Sequence, residues 1–397
     1  MNNIKIIAVI PARGGSKGVP RKNIRIVAGK PLVAWTITAA LKSKYIDKVI
    51  VSTDDNEIAK ISEQYGAEVI HRPAEISGDT ASSESAILHV LETLSNKGIS
   101  PELTVFLQAT SPLTIAEDID NCIDKLKQTS ADTAFTAKDF FYFVWNVGKD
   151  GSCSGINHDK NFRPRRQDRE PQYEENGAVY VMKTQGFLSQ KHRFFGKTVL
   201  SLMPEARSFE IDTEFDLEIA SLLLEAQKLQ AIRRNIPSNP SAIIFDFDGV
   251  MTDDRVWISQ TGEESVCCSR EDGQGIERAK AWKIPMLILS SEINPVVAAR
   301  AAKLKVKVIH GIGIHSKLEI LKQWSQQAQI DLTKAIYVGN DLNDIPCMTN
   351  VGFSFAPQNA NTAVKDIADC ILKKRGGYGA VRECLDIISS AMNTNLN

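Results

Sequence analysis

"VIPARGGSKGVPRKN" runs from Val9 to Asn23. It overlaps the end of "IKIIAVI", an apolar run that delivers the chain into a loop of three glycines, one serine and four basic residues. Glycines let a backbone approach an anion and turn N–H groups toward it. Arg13 offers a planar fork of donors and Lys17 a point charge, so the pair can straddle a triphosphate. The spacing is neither GxxxxGK[ST] nor GxGxxG, so neither common nucleotide loop is present. The competing reading is a basic surface turn after an edge strand.

Outward from this loop, short β-branched runs recur as "KVIVST", "AEVIH", "TVFLQAT" and "DTAFTA". Helix-like stretches such as "PLVAWTITAALKSK" and "TASSESAILHVLETLSNKG" lie between several of them. Strand and helix in alternation predict a mainly parallel, covered sheet. The alternation weakens over 140–175 and resumes with "AVYVMK" and a long amphipathic helix ending at "AIRR". "RRNIPSNPSA", rich in proline and asparagine, then reads as a linker over 233–241. Alternation restarts with "SAIIFDFDGV", "IPMLILSSE", "KVKVIHG", "KAIYVGND" and "VGFSFAP". The expected organisation is therefore an α/β domain over 1–232 and a second over 242–397, in line with a chain of 397 residues, too long for one ordinary core.

The bulk composition excludes several classes. A net charge of −1 gives no global pull toward nucleic acid or an anionic membrane, so any anion site must come from local placement of charge. The seven cysteines are scattered without a CxxC pair, which argues against a disulfide framework or zinc site and fits a reducing compartment. No segment approaches the roughly 20 apolar residues of a membrane span, and the opening residues carry no cleavage signal. The expectation is a cytoplasmic protein with no nucleic-acid or membrane partner. "NFRPRRQDRE" has a rival reading as a nucleic-acid patch, but no RNA-binding module surrounds it.

The second half carries the sharper chemistry. Asp246 and Asp248 of "FDFDGVMTDD" stand two apart at the end of an apolar strand, which points both to one face. "VGNDLND" places Asp341 and Asp344 at the end of another. Ligands of open α/β sheets bind at the carboxyl ends of strands, and carboxylates crowded there repel each other unless a cation or shared proton intervenes. Asp246, Asp248, Asp341 and Asp344 together suit Mg²⁺, a hard cation that prefers oxygen ligands.

These motifs, with "LILSS" and Lys317, resemble the haloacid dehalogenase superfamily of phosphatases over the whole second domain. The resemblance implies that Asp246 is a nucleophile forming an aspartyl-phosphate and Asp248 a general acid and base. It implies that Ser290, preferred to Ser291, binds phosphate, that Lys317 neutralises it, and that Asp341 ligates Mg²⁺ with Asp246 while Asp344 supports that shell. "SREDGQGI" and "KRGGYGAVRE" resemble the small capless branch that acts on 3-deoxy-sugar-acid 8- and 9-phosphates, whose subunits form tetramers. A fold kept only for assembly, without activity, is the alternative.

The first half is similar to the N-acylneuraminate cytidylyltransferases from about residue 5 to 225. Beyond the opening loop, the stretches that carry the resemblance are "VSTDD", "HRP", "GDTASS", "LQATSP", "RPRRQD", "YEENGAVY" and "FEIDTEFDLEIA". The resemblance implies a Rossmann-like nucleotidyltransferase domain with a mainly parallel mixed sheet. It implies transfer of CMP from CTP to a nonulosonic acid, with pyrophosphate leaving, chemistry that rests on positioning and charge neutralisation. Arg13, Ser16 and Lys17 would hold the triphosphate with Lys22 nearby. Asn23, Arg72 and Ser82 would approach cytidine, and Gln108 and Thr110 would line the sugar pocket. Arg163 or Arg165 would meet the substrate carboxylate, and Asp212 would ligate Mg²⁺. The family commonly has a second aspartate two residues before Asp212; this chain has Glu210, whose metal role the substitution leaves open. The two motif sets belong to consecutive steps, so the expected protein is bifunctional, taking CTP, a nonulosonic acid and its 9-phosphate. It is expected to be a homo-oligomer, a dimer through the first domain and a tetramer through the second.

Overall fold

A computed structural model describes residues 4–16, 18–78, 81–312 and 317–394; Lys17 lies outside the described residues. The chain forms two compact units, Met1–Ala226 and Gln227–Asn397.

Along the first unit run β1 (Ile6–Pro11), β2 (Ile26–Val27), β3 (Lys30–Pro31), α1 (Leu32–Leu41), β4 (Lys48–Thr53), α2 (Asn56–Gln64), β5 (Glu68–His71), α3 (Ser83–Asn96), β6 (Leu103–Leu107), α4 (Ala116–Thr129), β7 (Thr133–Phe140), β8 (Trp145–Val147), β9 (Cys153–Gly155), β10 (Gln172–Lys183), α5 (Thr184–Gln190), β11 (Thr198–Leu202) and the start of α6 (Glu214–Asn235). Seven strands form one sheet in the order β11-β7-β10-β6-β1-β4-β5. The sheet is mixed and mostly parallel: β10 alone runs against its neighbours β6 and β7.

The apolar runs are strands because both faces are buried. In β1, Ile6, Ala8 and Ile10 enter a core shared with α1, α2 and α4. Ile7 and Val9 enter the opposite core, shared with α3. The same two-residue alternation holds in β4, β6 and β10, so the sheet is covered by helices on both sides. The register of β10 shifts between Glu175 and Tyr180, where Gly177 takes a φ of +72°.

The second unit contains β12 (Ile243–Phe245), β13 (Trp257–Ile258), β14 (Glu264–Ser265), α7 (Arg270–Ala279), β15 (Met286–Leu289), α8 (Val296–Leu304), β16 (Lys307–Ile309), α9 (Lys317–Gln327), β17 (Ile336–Val338), α10 (Ile345–Met348), β18 (Phe353–Ala356), α11 (Thr362–Ile367), β19 (Cys370–Ile371) and α12 (Ala380–Thr394). Its six-stranded sheet, β16-β15-β12-β17-β18-β19, is parallel throughout. Ile243 and Phe245 face the α7, α8 and α12 side, and Ile244 faces the α9 side. Between β12 and β15 lie the small hairpin β13–β14 and α7, with no cap domain among the described residues.

The stretch read as a linker is divided. Arg233 to Asn235 complete α6, and Ile236 is buried in the second core. Proline ends the helix at this point, as the sequence predicts, but the apolar Ile236 anchors the stretch instead of leaving it free.

Candidate active sites

In the first unit the loop after β1, the start of α3, the end of β6 and the segment before α6 converge. They enclose a cavity of about 510 Å³ whose lining includes Arg13, Ser16, Gly18, Lys22, Asn23, Ser83, Phe106, Gln108, Thr110, Glu210 and Asp212. Parallel strand ends gather here because each crossover helix returns the chain to the far edge of the sheet.

The glycine loop is held from both sides. The Gly14 N–H donates to Asp54 at 3.0 Å, and Arg13 donates to the Gly78 carbonyl at 2.8 Å. Asn23, buried, braces the loop by donating to the Arg13 carbonyl at 3.0 Å. Gly18 touches the Asp212 backbone: a Cβ there would overlap the Asp212 carbonyl oxygen. Lys22 donates to the Ile211 carbonyl at 2.6 Å and to the Asp212 carboxylate at 3.3 Å. The Asp212 side chain is 74% exposed, so it faces the cavity from the same place where the loop is anchored. Arg72 is buried and donates to Ser52, through its hydroxyl at 3.2 Å and its carbonyl at 2.7 Å. Burial pushes its guanidinium pKa down, while nearby Asp54 opposes the shift.

Other expected residues sit differently. Ser82 caps α3, accepting the Ser85 N–H at 3.2 Å, and its neighbour Ser83 lines the cavity. Arg163 and Arg165 do not line it. The Arg163 guanidinium stands 4.5 Å from the Phe143 ring centroid, and Arg165 pairs with Asp168 at 2.7 Å with its side chain 75% exposed. In this arm, residues 141–171 between β7 and β10, the arginines find aromatic faces and a local carboxylate. Asp54 and Ser83 fall within the quoted stretches "VSTDD" and "GDTASS" without being named singly; Asp54 follows the end of β4, Ser83 opens α3, and Phe106 lies near the end of β6.

In the second unit the ends of β12, β15 and β17 bring together the residues around a cavity of about 280 Å³, lined by Asp246, Asp248, Asp254, Ser290, Ser291, Glu292, Asn340, Asp341 and Asn343. Lys317, 1% exposed at its side chain, donates to Asp246 at 2.8 Å and to Asp344 at 2.6 Å. Burial first, then the Asp344 charge, raises the Asp246 pKa well above the carboxylate range, against the pull of Lys317. Asp248 is pushed up to about 6 by burial, then by Glu292 and Asp254. Gly249, at φ +75°, admits this packing, since a Cβ would overlap the Asn340 side chain.

Asp344 has its acceptor positions filled. One oxygen takes Lys317 and the Tyr337 hydroxyl, at 2.8 Å, and the other takes the Asn340 and Asp341 N–H groups. It fits the expected support of the site and not direct metal ligation. Among the described residues no three His, Cys, Asp or Glu side chains converge as a ready metal cage. Magnesium keeps several waters and needs only one or two carboxylates. The cavity offers Asp246, Asp248 and Asp341, together with buried amide oxygens of Asn340 and Asn343 that lack hydrogen-bond partners. That oxygen-rich, anionic donor set fits a hard divalent cation.

A cytidylyltransferase family model matches residues 7–233. The N-acylneuraminate cytidylyltransferase A of Danio rerio is 30% identical over 383 residues, covering 95% of this chain and 87% of that protein. The chain belongs to the N-acylneuraminate cytidylyltransferase family. A haloacid dehalogenase-like hydrolase model matches residues 309–383. The pseudaminic acid cytidylyltransferase of Campylobacter jejuni subsp. jejuni serotype O:23/36 (strain 81-176) is 32% identical over 223 residues, 55% of this chain and 96% of that protein. The second unit is also similar to a crystal structure of 3-deoxy-D-manno-octulosonate 8-phosphate phosphatase from Moraxella catarrhalis in complex with magnesium, phosphate and KDO. That likeness is 27% identical, covers 42% of this chain and 94% of that one, and has a TM-score of 0.40.

The family places a nucleotidyltransferase in the first unit and a hydrolase fold in the second. No helix among the described residues is long and apolar enough to cross a membrane.

Proposed function

We propose that the chain is bifunctional: the first unit transfers CMP from CTP to a nonulosonic acid of the N-acylneuraminate type, and the second hydrolyses the 9-phosphate of such an acid. The observation that carries the first half is the shared cavity. Arg13, Ser16 and Gly18 on the glycine loop, Asp212 and the polar pair Gln108 and Thr110 all line it. In this reading the anomeric hydroxyl attacks the α-phosphate of CTP. Arg13 and Lys17 stabilise the departing pyrophosphate, and Arg72 and Asn23 serve the cytidine side. Arg163 and Arg165, which the resemblance assigns to the acid carboxylate, lie outside the cavity lining.

In the second unit Asp246 attacks phosphorus to give an aspartyl-phosphate and the sugar acid leaves. Asp248 donates the proton to the leaving oxygen, a role suited to a carboxyl raised to about 6, and then takes a proton from the water that attacks the aspartyl-phosphate, which releases inorganic phosphate and restores Asp246. Ser290 and Lys317 hold the phosphate. Asp212 in one unit, and Asp246 and Asp341 in the other, would hold magnesium, which would supply neutralisation of phosphate charge. A homo-oligomer is part of the reading. The hairpin β13–β14 leaves Trp257 and Ile258 exposed, which favours a partner surface on the second unit.

Purified protein given CTP, Mg²⁺ and N-acetylneuraminate is expected to release pyrophosphate. No release with any nonulosonate defeats the first half. Asp246→Asn is expected to lose phosphate release from a sialic acid 9-phosphate and to keep CMP transfer. If wild type also leaves every sugar-acid 9-phosphate intact, the second unit serves assembly alone.

A further inference from the structure

Glu210 stands where a metal-ligating aspartate is common in this family, but its hydrogen bonds lead elsewhere. One oxygen, Oε1, accepts from Gln108 Nε2 at 2.7 Å and from the Thr110 hydroxyl at 3.0 Å. A carboxylate accepts and does not donate, so both partners must turn a proton toward it. Gln108 therefore presents its amide NH₂ to Glu210, and the network assigns the orientation of that amide. Thr110 gives its only hydroxyl proton to the same oxygen. The second amide hydrogen of Gln108 is directed at the Thr110 oxygen at 3.5 Å, so what remains free is acceptor capacity: the Gln108 carbonyl oxygen and one Thr110 lone pair.

The backbone has made room for this arrangement. Gly177 lies in the β10 register shift with a φ of +72°, and a Cβ there would stand 3.1 Å from Glu210 Oε2 and 3.0 Å from Gln108 Nε2. Any side chain at 177 would press the pair apart and strain the turn. Asp212, on the same wall of the cavity, contrasts with it. Both line the cavity and both are exposed, but the Asp212 carboxylate pairs with Lys22 and not with Gln108 or Thr110.

We propose that Glu210 is a positioning residue and not a metal ligand: it fixes Gln108 and Thr110 as hydrogen-bond acceptors toward the sugar acid. The proposal rests on the cytidylyltransferase reading above for the identity of the ligand. A wall of acceptors selects a group that donates, such as a ring hydroxyl or an acylamino N–H, and disfavours an anion or a bare carbonyl at that place. The extra methylene of glutamate lengthens the reach of its carboxylate to Gln108 and Thr110 from the loop segment that also presents Asp212.

Two measurements on the full chain test it. Mn²⁺ binding in the presence of CTP, followed by electron paramagnetic resonance, is expected to weaken by about tenfold or more in Asp212→Asn and to stay within about twofold of wild type in Glu210→Ala. In steady-state kinetics, Glu210→Ala is expected to raise KM for N-acetylneuraminate by about tenfold, the loss of one or two hydrogen bonds, with KM for CTP within about twofold. Glu210→Gln keeps an accepting oxygen and is expected to fall between Glu210→Ala and wild type. The proposal is overturned if Mn²⁺ binding falls in Glu210→Ala as it does in Asp212→Asn, or if both KM values rise together. A wild-type protein that releases no pyrophosphate with any nonulosonate overturns the functional reading instead, and the Mn²⁺ comparison still decides whether Glu210 holds metal.

Discussion

Replacing Lys317 by methionine isolates the charge that holds the second site together. Its Nζ lies 2.8 Å from Asp246 and 2.6 Å from Asp344, and the three side chains are 1%, 8% and 0% exposed. Methionine keeps much of the volume, so the change removes the cation more than the packing. Asp344 is then left buried without its counter-charge, and Asp246 is pushed further toward its protonated form. Asp344 keeps the Tyr337 hydroxyl and two backbone N–H groups, while Asp246 loses its main stabilising charge. Breaking one partner from a buried ion pair costs about 3–5 kcal/mol. For a unit of this size, each kcal/mol moves the midpoint by about 2–4 °C, so the second unit should melt about 6–20 °C lower. Scanning calorimetry of the full chain reads this directly. Lys334→Met is the matched control, because Lys334 pairs with Asp331 at 3.7 Å with 64% of its side chain exposed. Such a surface pair is worth about 1 kcal/mol at most. If Lys317→Met costs no more than Lys334→Met, the triad does not carry the buried charge balance argued here.

Three further outcomes are expected. Gly18→Ala should displace the glycine loop from the Asp212 carbonyl and lower CTP-dependent pyrophosphate release by about 10²-fold, with phosphate release by the other unit unchanged; unchanged transfer would show that the close approach is irrelevant. Lys17→Ala should abolish CMP transfer and leave 9-phosphate hydrolysis intact, checked by paired pyrophosphate and phosphate assays. Asp272, buried on α7, has its pKa raised to about 6 by burial, against hydrogen bonds from the Arg382 and Gly379 N–H groups. Relative to the unfolded chain, its contribution to stability is present at low pH and is lost as the pH rises through about 6. Urea titrations should therefore show wild type gaining about 2–3 kcal/mol on Asp272→Asn between pH 7.5 and pH 4; a flat difference across that window refutes the assignment.

Much of the fold was legible because its cause is local. The runs around Ile7, Ile50, Ile244 and Tyr337 are apolar on both faces, and only a sheet covered on both sides buries them that way. The second site was readable for the same reason: Asp246 and Asp248 lie two apart, and Asp341 and Asp344 follow one strand end. The linker was half legible. Proline and asparagine mark the end of α6, but the burial of Ile236 depends on a surface that the local sequence does not describe.

The sequence by itself determined the order of strands and helices, the placement of glycines after β1 and the carboxylates at strand ends, because these follow from periodicity and charge within a few residues. Tertiary structure alone decided which side chains meet. Glu210 reaches Gln108 across about a hundred residues of chain, Gly14 finds Asp54, Asp344 fills its acceptors with Lys317 and Tyr337, and Arg163 and Arg165 rest on the arm away from the cavity. Those partnerships depend on sheet order and on a register shift in β10. A hydrogen bond is won or lost over fractions of an ångström, which spacing along the chain does not specify.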